Sequence, residues 1–142
     1  MMSIWKKSFN LEGLNNGLQN TLCDHLDMHV TEVGDDYVMG TMPVDARTTQ
    51  PMGLLHGGAS VALAETLGSL AANLAVDQTS YCVGLDINAN HIRSMNSGLV
   101  TAKASATHIG RSTQIWEITL QDEDGRLVCV SRLTMAVKRI AG

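Results

Sequence analysis

Residues 56–76 read HGGASVALAETLGSLAANLAV, and after His56 the only charged side chain is Glu65. No Lys or Arg lies within four residues to pair with it on a helix. A carboxylate among apolar neighbours is poorly solvated, which raises its pKa and its basicity. Such a group suits a general base or a nucleophile. The plainer alternatives are an exposed helix position or a structural ion pair. Ser69 follows Glu65 by four residues and Asn73 by eight, so the three share one polar strip of a helix.

Just ahead of this run stands LLHGG. Gly57 and Gly58 leave backbone N–H groups unobstructed where the helix begins. Those N–H groups have no partner within the helix and sit at its positive end. They are suited to an anion or to a polarised carbonyl, as in an oxyanion hole. The competing explanation is a loop-to-helix turn that needs glycine for positive φ. Gly57 and Glu65 are eight residues apart, about 12 Å along a helix axis. They cannot act on one carbonyl within one chain. Two antiparallel copies packed about 8–10 Å apart across a two-fold axis would bring them together. If both groups are catalytic, the protein is at least a dimer.

Two further clusters carry polar chemistry. LDINANHIRS (85–94) brings His91 and Arg93 near a strand end. THIGRST (107–113) brings His108, Arg111, Ser112 and Thr113 to a turn, where arginine, hydroxyls and Gly110 suit phosphate or ordinary surface solvation. His25 and His29 have the i, i+4 spacing of a helical metal pair, but no Glu follows His25 and no third ligand is near, so no metal site is expected. There is no Walker A motif, no GxGxxG and no GxSxG.

These residues need elements to hold them. Phe9, Leu11, Leu14, Leu18 and Leu22 have roughly helical spacing, weakened by Gly13 and Gly17. Two strands are expected at 28–33 and 36–44 with a turn at 34–36. The loop 45–58 leads to one long helix, apolar almost all round and so expected to be buried almost all round. From Tyr81 the period changes to two, giving strands over 81–92, 98–109, 112–122 and 126–138, with Asp124-Gly125 a hairpin signal. A central helix wrapped by a curved antiparallel sheet, an α+β architecture, satisfies this order.

The bulk properties agree with one domain over residues 1–142. With 44% hydrophobic and 17% charged residues the composition is that of a globular protein. A formal net charge of −4 and no basic block make nucleic acid and anionic membrane poor partners. The N-terminal sequence shows no signal-peptide pattern and no stretch is apolar enough to span a membrane. Cys23, Cys82 and Cys129 are odd in number and widely spaced, as expected of reduced thiols in a cytoplasmic protein.

TTQPMGLLHGGASVALAETLGSLAA, GLDINANHIRS and HIGRST together resemble the hotdog-fold acyl-CoA thioesterases. The closer match is to the glutamate-dependent 4-hydroxybenzoyl-CoA thioesterase branch. Within it the chain is most similar to the bacterial 1,4-dihydroxy-2-naphthoyl-CoA hydrolases of menaquinone biosynthesis and the proofreading thioesterases of enterobactin synthesis. The resemblance covers nearly the whole chain. It implies that Glu65 is the catalytic carboxylate and that Gly57 N–H polarises the thioester carbonyl. His56 and Gln50 match loop residues that orient the thioester or its leaving group, and Ser69 matches a residue that positions the attacking water or the carboxylate. Gly84, the stretch His91, Ile92, Arg93 and Ser94, and the stretch His108, Ile109, Gly110, Arg111, Ser112 and Thr113 match positions that contact the acyl-CoA. His91 stands beside the acyl group. The resemblance further implies a homodimer, commonly paired into a tetramer, and no cofactor.

The expected reaction is hydrolysis of an acyl-CoA thioester, with an aromatic acyl group and with 1,4-dihydroxy-2-naphthoyl-CoA as leading candidate. No metal is required, because a thiolate already leaves well. Alternatives are a hydrolase of aryl-carrier-protein thioesters, a hotdog dehydratase pairing His56 with Glu65, and a non-catalytic acyl-CoA binder.

Overall fold

The period-two stretches become a single six-stranded sheet, and the long apolar run becomes the helix lying across it. The computed structural model describes residues 2–141. In chain order its elements are helices α1 (Leu11–Asn16) and α2 (Leu22–His25), strands β1 (His29–Val33) and β2 (Tyr37–Pro43), and helix α3 (Gly57–Leu74). Strands β3 (Ser80–His91), β4 (Leu99–Ile109), β5 (Thr113–Gln121) and β6 (Leu127–Arg139) follow. Strand order is β1-β2-β4-β5-β6-β3, and every neighbouring pair is antiparallel. This is the expected α+β hotdog arrangement. No helix among the described residues is long and apolar enough to cross a membrane.

The single helix suggested by the spacing of Phe9 to Leu22 is two short helices instead. Gly17 caps α1, Asn20 adopts φ 62°, and Thr21 restarts the chain by accepting from the Cys23 N–H. The Asn- and Gly-rich stretch between the two has low helix propensity and favours this break. His25 therefore ends α2 while His29 opens β1, and the two do not share a helix face.

One side of α3 packs on the sheet. Leu63, Ala64, Leu67, Ala71 and Ala72 are buried against Met42, Val100, Trp116, Ile118, Leu120, Leu133 and Met135. The opposite side is a stripe of half-exposed residues, Val61, Ala62, Glu65, Thr66, Ser69, Leu70 and Asn73. The expectation of burial all round is thus corrected for the single chain. One six-stranded sheet can wrap only one side of a helix, and the remaining stripe, with Val61, Ala62 and Leu70 among its polar residues, is left half-exposed.

β3 ends the sheet, so its outer backbone edge has no strand beside it. A register shift between Gly84 and Asp86 bulges the strand and leaves Leu85 61% exposed.

Candidate active site

The loop before α3 is organised by its own side chains. Gln50 Oε1 accepts from the Met52 N–H at 2.6 Å and from the Leu54 N–H at 3.2 Å, which folds residues 50–54 into a turn. Both bonds use the carbonyl oxygen of the amide and leave Nε2 to donate elsewhere. His56 is the N-cap of α3, its Nδ1 accepting from the Gly58 N–H at 2.8 Å. An accepting Nδ1 puts the ring proton of the neutral imidazole on Nε2. Ala59 and Ser60 donate to the His56 carbonyl. Gly57, first residue of the helix, donates to no acceptor among the described residues. One helix-terminal N–H is therefore available at the positive end of an 18-residue helix.

Positive φ does not explain the glycine at 57, which has an ordinary helical backbone. The reason is space. A Cβ built on Gly57 would stand 2.9 Å from His91 Nε2. The imidazole from the end of β3 thus lies against the helix terminus. Gln50, Leu55, Gly57, Ser60, His91 and Arg93 line a cavity of about 330 Å³ with Ile92, Ser94 and Val128.

Glu65 lies elsewhere. It is half-buried, and no hydrogen bond or ion pair to its carboxylate occurs among the described residues. Its Oε2 would be 2.6 Å from a Cβ built on Gly84, so the carboxylate rests on the bare backbone of β3. With Leu22, Cys23, Ala62, Thr66 and Ser69 it lines a separate cavity of about 430 Å³. Ser69 Oγ points to Met135 Sδ at 3.8 Å, not to the carboxylate one turn away. Leu22 and Cys23 reach this cavity by long-range packing, and spacing along the chain carries no sign of them. Thr66 and Ala62 are visible from the sequence only as helix neighbours of Glu65.

The β4–β5 turn joins the Glu65 side. Gly110 N–H donates to the Thr113 carbonyl, and the Ser112 carbonyl accepts from the Val137 N–H. His108, Ile109, Arg111 and Ser112 are exposed. On β6, Met135 pairs with both Gly84 and Gln114, so the turn before Gln114 is close to Gly84. Thr113 pairs with Ala136, whereas His91 pairs with Cys129, seven positions away on β6. That separation is about 23 Å along the strand. One protomer therefore divides the sequence-selected residues into two groups. Gln50, His56, Gly57 and 91–94 are at one end; Glu65, Ser69, Gly84 and 108–113 are at the other.

Asn73 does not extend the polar strip of Glu65 and Ser69 toward solvent. Its amide is bonded to the backbone of Cys82 in β3. Burial pushes the Cys82 and Cys129 thiols up, which makes them poor nucleophiles, with Lys7 opposing slightly at Cys82. Among the described residues no group of three or more His, Cys, Asp or Glu is placed to hold a metal ion.

Comparison with known proteins agrees with this architecture. Residues 52–129 match the family model of the Thioesterase superfamily. The 1,4-dihydroxy-2-naphthoyl-CoA hydrolase of Escherichia coli is 48% identical over 134 residues, covering 94% of this chain and 98% of that one. The proofreading thioesterase EntH of Cronobacter turicensis is 50% identical, again over 94% and 98%. The crystal structure of a Haemophilus influenzae thioesterase superposes with a TM-score of 0.96 at 50% identity, covering 98% of this chain and 97% of that one. A hotdog sheet around one helix, and relatives at this identity over almost the full length, lead to one conclusion: the chain belongs to the thioesterase superfamily and is a thioester hydrolase.

Proposed function

We propose that the protein hydrolyses an aromatic acyl-CoA thioester at a site shared by two protomers, with 1,4-dihydroxy-2-naphthoyl-CoA the leading candidate substrate. The observation that carries this reading is the separation of Gly57 and Glu65 into different cavities of one chain. An unpaired helix-terminal N–H and an unpaired carboxylate are complementary halves of a hydrolytic site. A two-fold pairing of α3 stripes would bring them together and cover Val61, Ala62 and Leu70, and the outer edge of β3 beyond Cys82, which has no strand beside it, is available to the same partner. The whole chain acts as one such domain, in the cytoplasm, and pairs of dimers complete a tetramer.

In this mechanism the thioester carbonyl oxygen accepts from the Gly57 N–H, so charge developing on it is stabilised by the helix terminus. Glu65 of the facing protomer then works in one of two ways. As nucleophile it adds to the carbonyl carbon; the C–S bond breaks, CoA leaves as thiolate, and the resulting mixed anhydride is opened by water to return the carboxylate and the acid. As general base it takes a proton from water, whose oxygen adds to the carbon, and the proton passes to the departing sulfur. Gln50 Nε2 and His56 Nε2 are free donors for the thioester, Ser69 shares the Glu65 cavity, and His91 closes the Gly57 side. Ile92, Arg93 and Ser94, with the exposed turn 108–113, contact the acyl-CoA, and Arg111 is the cation of that turn.

Thiol release from a panel of aryl, short-chain and long-chain acyl-CoAs tests the reading. Glu65→Gln should lower kcat by on the order of 10³-fold or more with little change in KM. Near-normal turnover by that variant overturns it. A second substrate class, implied by the resemblance to proofreading thioesterases, is an aryl group carried on a carrier protein. An aryl-loaded carrier protein in the same panel distinguishes the two.

A further inference from the structure

Asn73 makes a contact that neither the reaction nor the fold accounts for fully. Its Oδ1 accepts from the Cys82 N–H at 2.8 Å, and its Nδ2 donates to the Cys82 carbonyl at 3.2 Å and to the Ser69 carbonyl at 2.8 Å. The side chain thus pairs with both backbone groups of one β3 residue, as a neighbouring strand would. It does so on a strand that ends the sheet. The Cys82 thiol adds a second tie to the same helix by donating to the Ala72 carbonyl at 3.6 Å. Helix α3 and strand β3 are therefore pinned together at Cys82, independently of the sheet's own pairing.

Two residues beyond that pin lies Gly84, and two helical turns before Asn73 lies Glu65. The carboxylate rests on Gly84 so closely that a methyl group there would meet Oε2 at 2.6 Å. The bulge begins immediately afterwards, so from Gly84 onward the strand diverges from its regular path. Without a hydrogen bond or ion pair among the described residues, the carboxylate is located by packing on this strand. The gap between α3 and β3 decides where it stands.

We propose that Asn73 is a positioning residue for Glu65. It fixes the spacing of α3 and β3 at Cys82, and the bare backbone of Gly84 then sets the carboxylate in its reacting position. This assigns Gly84 a role toward the catalytic group besides contact with substrate, and gives Asn73 a role the sequence reading left open. The proposal rests on the reading of Glu65 as the catalytic carboxylate.

The experiment uses four variants of the full chain: Glu65→Gln, Asn73→Ala, Gly84→Ala and the double Asn73→Ala/Gly84→Ala. Each is assayed for thiol release well below its Tm, with folding checked by circular dichroism. Displacing a reacting group by about 1 Å can cost on the order of 10²-fold in rate. Asn73→Ala should therefore lower kcat by on the order of 10- to 100-fold, leave KM within about 3-fold, and move the acidic limb of the kcat–pH profile. Gly84→Ala should do the same. In the double variant the losses should be less than multiplicative, because an unpinned strand can retreat from the added methyl group. A structural role alone would lower Tm and leave kcat and the pH profile of the folded enzyme unchanged, and that result overturns the proposal. So does a Gly84→Ala variant whose loss is confined to KM. If Asn73→Ala does not fold, Asn73→Asp keeps the acceptor for the Cys82 N–H, removes both donated bonds, and is held to the same kcat and pH criteria. An active Glu65→Gln would mark failure of the underlying reading; an inactive Glu65→Gln beside a fully active, folded Asn73→Ala would mark failure of the positioning role alone.

Discussion

The His91 imidazole occupies the space that a side chain at residue 57 would need: a Cβ there would lie 2.9 Å from Nε2. Glycine at the first turn of α3 therefore reflects contact with the end of β3, not a demand for unusual backbone angles. Gly57 and His91 together line the cavity shared with Gln50 and Arg93.

Gly57→Ala should consequently push His91 and the helix terminus apart. With the N–H displaced, kcat is expected to fall by on the order of 10²-fold, as when an oxyanion donor is lost. Removing the obstructing ring in Gly57→Ala/His91→Ala should return part of that loss. Steady-state kinetics of the two single variants and the double decide it. A double variant worse than the product of its parents would show that the clash is not the cause.

A shared site makes a prediction that single variants cannot. Glu65→Gln and Gln50→Ala should each be inactive as homodimers. Unfolded together and refolded, they form mixed dimers in which one site pairs the intact Glu65 with Gln50 of the partner subunit. Random assortment should restore about a quarter of wild-type activity, since half the dimers are mixed and each has one working site. No recovery, in a mixture shown by mass spectrometry to contain mixed dimers, would place both groups in one protomer.

Cys23 lines the cavity of Glu65 and bonds Thr66 Oγ1 through sulfur at 3.6 Å, while Cys82 and Cys129 are buried with thiols pushed up by that burial. N-ethylmaleimide should accordingly modify about one thiol per native chain. That adduct fills the cavity beside the carboxylate, so activity should fall at least about tenfold. Cys23→Ser should be insensitive to the reagent. Full activity after stoichiometric labelling would put this cavity outside the reaction.

The β5–β6 hairpin offers a pH-dependent handle on stability. Asp122 accepts from the Arg126 N–H, the Asp124 N–H and the Arg126 guanidinium. The Arg126 N–H lowers its pKa most, burial opposes, and the remaining donors lower it further, so the carboxyl stays below its usual range. A depressed folded-state pKa stabilises the fold above the ordinary carboxylate value of about 3.9 and ceases to do so as pH falls through the lower folded value. Asp122→Asn should thus melt a few degrees below wild type at neutral pH, and the difference should close in the acid range. A gap in Tm that persists unchanged at pH 2–3 would contradict this account.

Much of the architecture was legible from local pattern. Alternation of apolar residues after Tyr81, and Ala and Leu through residues 59–75, reflect which faces are buried, and that is a property of the elements themselves. The break at Asn20 was less visible, because apolar spacing from Phe9 to Leu22 is compatible with one helix and turn chemistry decided otherwise. Glu65 and Gly57 stood out as chemically unusual. The contact of Asn73 with Cys82 and the shared cavity of Cys23 and Glu65 did not, since the two pairs are nine and forty-two positions apart in the chain.

By itself the sequence determined that a lone carboxylate and a free helix-terminal N–H lie about 12 Å apart on one helix, because helical rise depends on residue count alone. Only the tertiary structure decided the rest. It put His91 against Gly57 and the bare backbone of Gly84 against Glu65, and it left one stripe of α3 half-exposed. Those outcomes follow from how β3 crosses to the far edge of the sheet and meets the helix, a packing relation between distant segments that no local pattern encodes.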